Sequence, residues 1–166
     1  MDIGIVLAAG EGTRMKSNRA KVMHMVCGKP MLEYVLSASN NAGISKNIVI
    51  VGHNKEEILS GISDSEVIFA EQPMYAGAPY GTGFAVMQAL DHIEDDSKVV
   101  VLCGDTPLIG HATLKKLITC HSDENNAATV LTTRMENPSG YGRIIRREDG
   151  TLLKIVEQKD ASEEER

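Results

Sequence analysis

Arg14, Lys16, Arg19, Lys21 and Lys29 place five cations between residues 11 and 29, where Glu11 is the one acid. That stretch carries +4 (five bases less one acid) in a chain whose formal net charge is −6. It opens with Gly10 and Gly12, in "LAAGEGTRM" at residues 7–15. Glycine lets a backbone bend sharply and approach a bound group that a Cβ would keep away, and the N–H groups so exposed can cradle an anion. Glycines and fixed cations together suit phosphate. Taken alone, the pair G-x-G is equally a solvated turn with charges on its surface.

Asp105 follows the apolar run "KVVVLC", residues 98–103. A carboxylate there is either a ligand for magnesium, which is bound by one or two carboxylates together with phosphate oxygens and water, or the turn residue before Pro107. Other chemistries leave no trace. The histidines at 24, 53, 92, 111 and 121 show no H-E-x-x-H or other ligand spacing, so zinc is not expected and they are read as surface or packing residues. No Ser-His-Asp or Cys-His pairing stands out. Cys27, Cys103 and Cys120 are odd in number and widely spaced, which suggests buried or incidental reduced thiols rather than disulfides.

The elements that must position these groups alternate. "IGIVL" (3–7), "NIVIV" (47–51), "EVIFA" (66–70) and "KVVVLC" (98–103) are short Val/Ile-rich runs, the pattern of strands covered on both faces. Helices are predicted from Pro30 to Gly43, with Met31, Leu32, Val35 and Leu36 on one face, and over about residues 54–61. Two more follow, one from Thr82 through "TGFAVMQALDHI" and one over "ATLKKLITCH", where Leu114, Leu117 and Ile118 share a face. Alternation of this kind implies a Rossmann-like three-layer α/β/α fold with a mostly parallel, mixed sheet and ligands at the carboxyl ends of the strands. "AATVLTTR" (127–134), "GRIIRR" and "TLLKIVE" are predicted strands, the last two a hairpin, forming a mixed sheet edge. The final "EQKDASEEER" has no apolar face and is expected to be solvated or frayed.

At 166 residues and 42% apolar content the chain fits one globular domain. Its acidic balance argues against a general nucleic-acid binder, whose affinity needs a broad basic face. No apolar run approaches the ~18 residues of a membrane span, and the N-terminus lacks a secretory pattern, so no membrane partner and a cytoplasmic location are expected. Oligomeric state is not legible. The glycine loop directly follows the first strand, where an alternating sheet places nucleotides. A dinucleotide fingerprint fits less well, because Met15 stands where its third glycine or alanine belongs and the second strand ends in Gly52 and His53 instead of an acid.

These motifs resemble those of the sugar-phosphate nucleotidyltransferases: "LAAGEGTRM", then Lys21, then "GKPM" at 28–31. Further matches are "AEQ" at 70–72, "GTG" at 81–83, "GDTPLI" at 104–109, "NPSGYGRI" at 137–144 and "IVEQKDA" at 155–161. Together and in this order they are similar to the uridylyltransferase domain of the bifunctional UDP-N-acetylglucosamine pyrophosphorylases and glucosamine-1-phosphate acetyltransferases. The resemblance implies UTP and N-acetylglucosamine 1-phosphate as partners, with UDP-N-acetylglucosamine and pyrophosphate as products and magnesium as the metal. It implies Arg14 and Lys21 as catalytic cations, with Arg14 a planar fork and Lys21 a point charge, and it assigns Asp105 to the metal. Leu7, Ala8, Ala9, Gly10 and Gly12, with Gln72, Gly81 and Thr82, would bind the nucleotide; Gln72 offers both donor and acceptor to a pyrimidine edge. Gly140 and Glu157 would hold the sugar, whereas Lys16 and Arg19 are read as surface charges.

Three departures stand out. "PMYAGAPY" (73–80) is longer than the family's link of about one residue, Ala20 replaces a proline, and Cys103 replaces an aromatic residue. The family's later segment, with its N-T-G run and a second metal residue, and the acetyltransferase β-helix have no counterpart in these residues. The expectation is therefore the nucleotide-binding portion of such a domain, with impaired turnover. The alternatives are a nucleotidyltransferase with another phosphate acceptor and a non-catalytic nucleotide-binding module.

Overall fold

Successive side chains of a strand point to opposite faces, and the first strand, β1 (Asp2–Leu7), loads both with branched apolar residues. Ile3 and Ile5 enter one buried cluster and Val6 the other. The computed structural model describes residues 2–165 and divides into two compact units, Met1–Asn125 and Asn126–Arg166.

In the first unit, β1 leads through short 3-10 turns at Thr13–Met15 and Lys21–Met23 to a small antiparallel ladder, β2 (Met25–Val26) with β3 (Lys29–Pro30). There follow α1 (Met31–Ala42), β4 (Lys46–Val51), α2 (Lys55–Gly61), β5 (Val67–Glu71), α3 (Thr82–Met87), β6 (Lys98–Cys103) and α4 (His111–Asp123). Pro30 caps α1 and Gly43, at φ 94°, ends it, its N–H donating to the carbonyls of Ser39 and Asn40. The helix predicted from Thr82 is shorter than expected: it stops at Met87, and a separate 3-10 turn covers Leu90–His92.

The central sheet has the order β5-β4-β1-β6 and every pair in it is parallel. One face packs Val6, Val49, Val51 and Leu102 against Leu32 and Val35 of α1, Ile58 of α2 and Leu114 of α4. The other packs Ile3, Ile5, Ile48 and Ile50 against Ala85 and Ala89, in and just after α3. Each fully buried Ile or Leu contributes roughly 1.5–3 kcal/mol relative to exposure, so this double-faced sheet carries the stability of the unit. The α/β layering is as expected.

β6 differs from its reading as a doubly covered strand. Val100 and Leu102 face the helices, whereas Val99 and Val101 are exposed. The small cluster under α3 draws on β1, β4 and β5 and does not extend over this edge strand.

In the second unit β7 (Arg143–Arg146) and β8 (Leu152–Val156) form the expected antiparallel hairpin, with a bulge between Ile145 and Arg146. It is a two-stranded sheet of its own and not the mixed edge expected on the central sheet. Residues 127–134 form no strand, because they have no ladder partner and their side chains, including Val130 and Leu131, are largely exposed. The acidic tail is also more ordered than its composition suggested. Glu165 pairs with Lys154 at 2.6 Å and accepts the Ser162 N–H, while Ala161 is buried. That ion pair and hydrogen bond hold the Glu165 carboxyl below its usual range.

Candidate active site

Strand order decides where a site can form. The chain steps from β1 to β4 to β5 on one side, then returns to β6 on the other side of β1. Connections leaving in opposite directions open a crevice beyond the carboxyl ends of β1 and β6, the usual place for a ligand in such sheets. Here the two strand ends are drawn tightly together. Gly104 donates its N–H to the Leu7 carbonyl at 2.9 Å, and a Cβ on Gly104 would stand 2.9 Å from that oxygen and 3.1 Å from Val22. Only glycine fits, and its two neighbours, Cys103 and Asp105, are thereby brought to the crevice.

The crevice is a cavity of about 230 Å³. Its wall takes Leu7, Ala8, Ala9 and Gly10 from the loop after β1, Lys21 and Val22 from the second 3-10 turn, and Gln72 from the end of β5. Tyr80, Gly81, Thr82 and Ala85 come from the entry to α3, and Cys103 and Asp105 from the end of β6. Five chain segments far apart in sequence thus meet at one edge of the sheet.

Lys21 Nζ donates to Asp105 Oδ2, a close ion pair across 84 positions of sequence, with both side chains about one-third exposed. This is the charged centre of the cavity. Gln72 is 3% exposed; its N–H joins the Val51 carbonyl at 2.8 Å, while its side-chain amide has no partner among the described residues. An amide in the wall of a cavity, with donor and acceptor both unspent, is suited to a ligand edge. Cys103 is accessible at the wall. The protein around it and the Asp105 carboxylate push its thiol pKa up, and Lys21 opposes them.

The position of Lys21 is set from both sides. Gly12 has φ 62°, and a Cβ there would meet Lys21 Cβ at 2.8 Å. On the other side Glu57 of α2 accepts Arg19 Nε at 2.8 Å and the Ala20 N–H at 2.6 Å, and Asn54 Nδ2 donates to the Asn18 carbonyl at 2.6 Å. Arg19 is an exposed surface charge, as expected, and its pair with Glu57 ties the loop to α2. Ala20 keeps a φ of −54° that proline also adopts, but its N–H is used.

The predicted residues divide into three groups. Leu7, Ala8, Ala9, Gly10, Lys21, Gln72, Gly81, Thr82 and Asp105 line one cavity. Gly12 lies behind Lys21, outside that wall, and Arg14 sits exposed in the Thr13–Met15 turn with no ion-pair partner among the described residues. Gly140 and Glu157 belong to the second unit. There Gly140, at φ 84°, donates its N–H to Gln158 Oε1 at 2.9 Å, and Arg143 donates to the same oxygen, so Gly140 and the exposed Glu157 share one end of the hairpin. Sequence reasoning missed Val22, Tyr80, Ala85 and Cys103 as wall residues; the signals were the adjacency of Val22 to Lys21 and of Tyr80 to Gly81, and the place of Cys103 two residues before Asp105.

Among the described residues no cluster of three or more His, Cys, Asp or Glu suited to a metal occurs, and all three cysteines are free and exposed, so of the two readings, buried or incidental thiols, the second is the one observed. Among the described residues Asp105 is the one carboxylate on the cavity wall. A single protein carboxylate suits a hard divalent ion whose other ligands are phosphate and water. No helix of the described residues is long and apolar enough to cross a membrane.

A parallel sheet with a glycine loop, a lysine and a carboxylate at its switch point is the arrangement of a nucleotide-binding α/β protein. Residues 4–160 match the MobA-like NTP transferase domain, and the chain belongs to that family. It is 50% identical over 162 residues to the bifunctional protein GlmU of Clostridioides difficile (strain 630), covering 98% of this chain and 34% of that protein. The GlmU of Caldanaerobacter subterraneus subsp. tengcongensis is 48% identical over 99% of this chain and 35% of its own length. The chain thus spans about a third of the length of these relatives. In fold it is similar to a nucleotidyl transferase from Methanothermobacter thermautotroptrophicus (Mth528), with a TM-score of 0.61 at 22% identity over 70% of this chain and 56% of that one. A manganese complex of Rv0371c from Mycobacterium tuberculosis H37Rv matches with a TM-score of 0.58 at 18% identity over 95% of this chain and 71% of that one.

Proposed function

We propose that this chain carries the nucleotide half of a uridylyltransferase site, which moves UMP from UTP to N-acetylglucosamine 1-phosphate and releases pyrophosphate. The observation that supports it most is the pairing, in one cavity, of a Lys21–Asp105 charged centre with the unspent amide of Gln72. A triphosphate needs the first and a pyrimidine edge fits the second. The similarity to GlmU proteins at about half identity, and the sugar-side motifs around Gly140 and Glu157, favour this acceptor over other phosphates.

The chemistry asks little covalent work of the protein. The acceptor phosphate has a second pKa near ~6 and is largely dianionic at neutral pH, so its oxygen attacks the α-phosphorus without a protein base. A new P–O bond forms as the α–β bridging bond breaks, and pyrophosphate leaves with the electron pair. Lys21 neutralises charge at the α-phosphate, Arg14 receives the leaving pyrophosphate, and the N–H groups around Gly10 and Gly12 hold oxygen atoms in place. Asp105 would hold magnesium, which supplies charge neutralisation between phosphate oxygens when bound. Gly140 and Glu157 would hold the sugar, the carboxylate accepting from hydroxyls. The location is proposed to be cytoplasmic.

The test is a thermal-shift panel of UTP, CTP, GTP, ATP and NAD with magnesium, joined to a pyrophosphate-release assay. A ligand of the native state raises the melting temperature by mass action, by RT ln(1 + [L]/Kd) in free energy. UTP is expected to give the largest shift. A larger shift with CTP or GTP would overturn the uridine assignment, and no shift with any triphosphate would overturn the site.

A further inference from the structure

We propose that Tyr80 stacks on the nucleobase and sets the preference of this site for a base over bare phosphate, an inference that rests on the nucleotide reading above. Among the described residues of the cavity wall Tyr80 is the one aromatic side chain, and it is 74% exposed. Its hydroxyl has no partner among the described residues. A ring of this size held in water beside a cavity is an unused stacking face. The same wall that holds Gln72 takes the small or aliphatic side chains of Leu7, Ala8, Ala9 and Ala85. A flat heterocycle whose edge is met by Gln72 therefore finds apolar floor and one aromatic face, and aromatic faces stack on any base because every base has a π-surface.

The backbone around Tyr80 is irregular and glycine-flanked. Residues 73–80 contain Pro73, Gly77 and Pro79 and form no helix or strand. Gly77 has φ 88° and Gly81 φ 124°, values that glycine alone adopts readily, and neither would meet an atom within 4 Å if it gained a Cβ. Gly81 is both the cap of α3 and the joint by which Tyr80 is attached to it. The exposed ring is thus carried to the cavity wall by the residue just before the α3 cap, while Thr82 and Ala85 beyond that cap belong to the helix.

The experiment is calorimetric titration of the whole chain with UTP and, separately, with inorganic tripolyphosphate, both with magnesium, for wild type, Tyr80→Phe, Tyr80→Leu and Tyr80→Ala. Base–aromatic stacking loss predicts UTP weakened roughly ten- to a hundred-fold in the alanine and leucine variants, with phenylalanine near wild type. Tripolyphosphate affinity stays constant across the series. The chain has no tryptophan and four tyrosines, so UTP should also quench tyrosine emission in wild type and lose that quenching in Tyr80→Ala. UTP binding within twofold of wild type in Tyr80→Ala overturns the inference and leaves the nucleotide reading standing. Equal weakening of UTP and tripolyphosphate also overturns it, since the residue would then act on the phosphate end or the fold. Tripolyphosphate binding with no UTP binding in wild type overturns both.

Discussion

The α-carbon of Gly12 lies so close to the side chain of Lys21 that a β-carbon on Gly12 would stand 2.8 Å from Lys21 Cβ. Nine positions apart, the glycine and the lysine are one device: the loop can fold back onto the lysine stem only where no side chain intervenes. Lys21 in turn meets Asp105, so an error at Gly12 is transmitted to the charged centre. Gly12→Ala combines a left-handed backbone, costing about 1–2 kcal/mol, with this steric conflict. The melting temperature should fall by roughly 2–8 °C and UTP affinity by about tenfold or more. Unchanged UTP affinity in a folded Gly12→Ala protein would show that the loop does not set Lys21.

Lys21→Met and Asp105→Asn separate the two halves of the ion pair. Because both side chains are about a third exposed, either change should alter stability by no more than about 1 kcal/mol. Binding is another matter. Loss of a charge-assisted contact to phosphate should weaken UTP about 10- to 100-fold in Lys21→Met. Asp105→Asn frees the lysine, so UTP binding in EDTA should hold or improve, while added magnesium should no longer help. Magnesium stimulation equal to wild type in Asp105→Asn would remove Asp105 from the metal role.

The Cys103 thiol reports on the same pair. Its surroundings and Asp105 raise its pKa above the usual value of 9.0, so the thiol form dominates at neutral pH and alkylation by iodoacetamide should be slow there, rising with pH. Removing the carboxylate in Asp105→Asn lowers that pKa and speeds the reaction; removing the cation in Lys21→Met raises it and slows it. UTP should protect Cys103 but not Cys27. Peptide mass spectrometry reads each cysteine separately, and equal labelling of Cys103 with and without UTP would place the ligand elsewhere.

Glu57→Ala tests the brace behind the loop. It breaks the bonds to Arg19 Nε and to the Ala20 N–H, yet the Arg19 pair is largely exposed and contributes little to global stability. The expected result is a change within about 1 kcal/mol in denaturant unfolding together with UTP binding weaker by several-fold. Glu57→Gln, which can still accept from the Ala20 N–H, should recover part of that loss. A large stability loss with normal binding would make Glu57 a core support instead.

Much of this was legible in the residues. The four Val/Ile runs and the helices between them follow from local patterning, and the strands appear within one residue of their expected bounds. The phosphate chemistry was legible because charge is local: five cations around two glycines mark a loop whatever surrounds it. The strand expected at 127–134 was not, since a strand exists only if a ladder partner is present, and propensity cannot supply one. Nor was the order in the tail, where Glu165 finds Lys154 and the Ser162 N–H.

What the sequence by itself determined was the set of elements and the inventory of groups, because periodicity, glycine and charge act over a few residues. Only the tertiary structure decided which of those groups meet. Strand order brings Leu7 beside Cys103 and so Lys21 to Asp105, Gly104 lets the two strand ends touch, and the entry to α3 delivers Tyr80 to the same wall. The physical reason is that contacts across 84 positions are fixed by how the sheet is packed, and no property of either residue's neighbours encodes its distant partner.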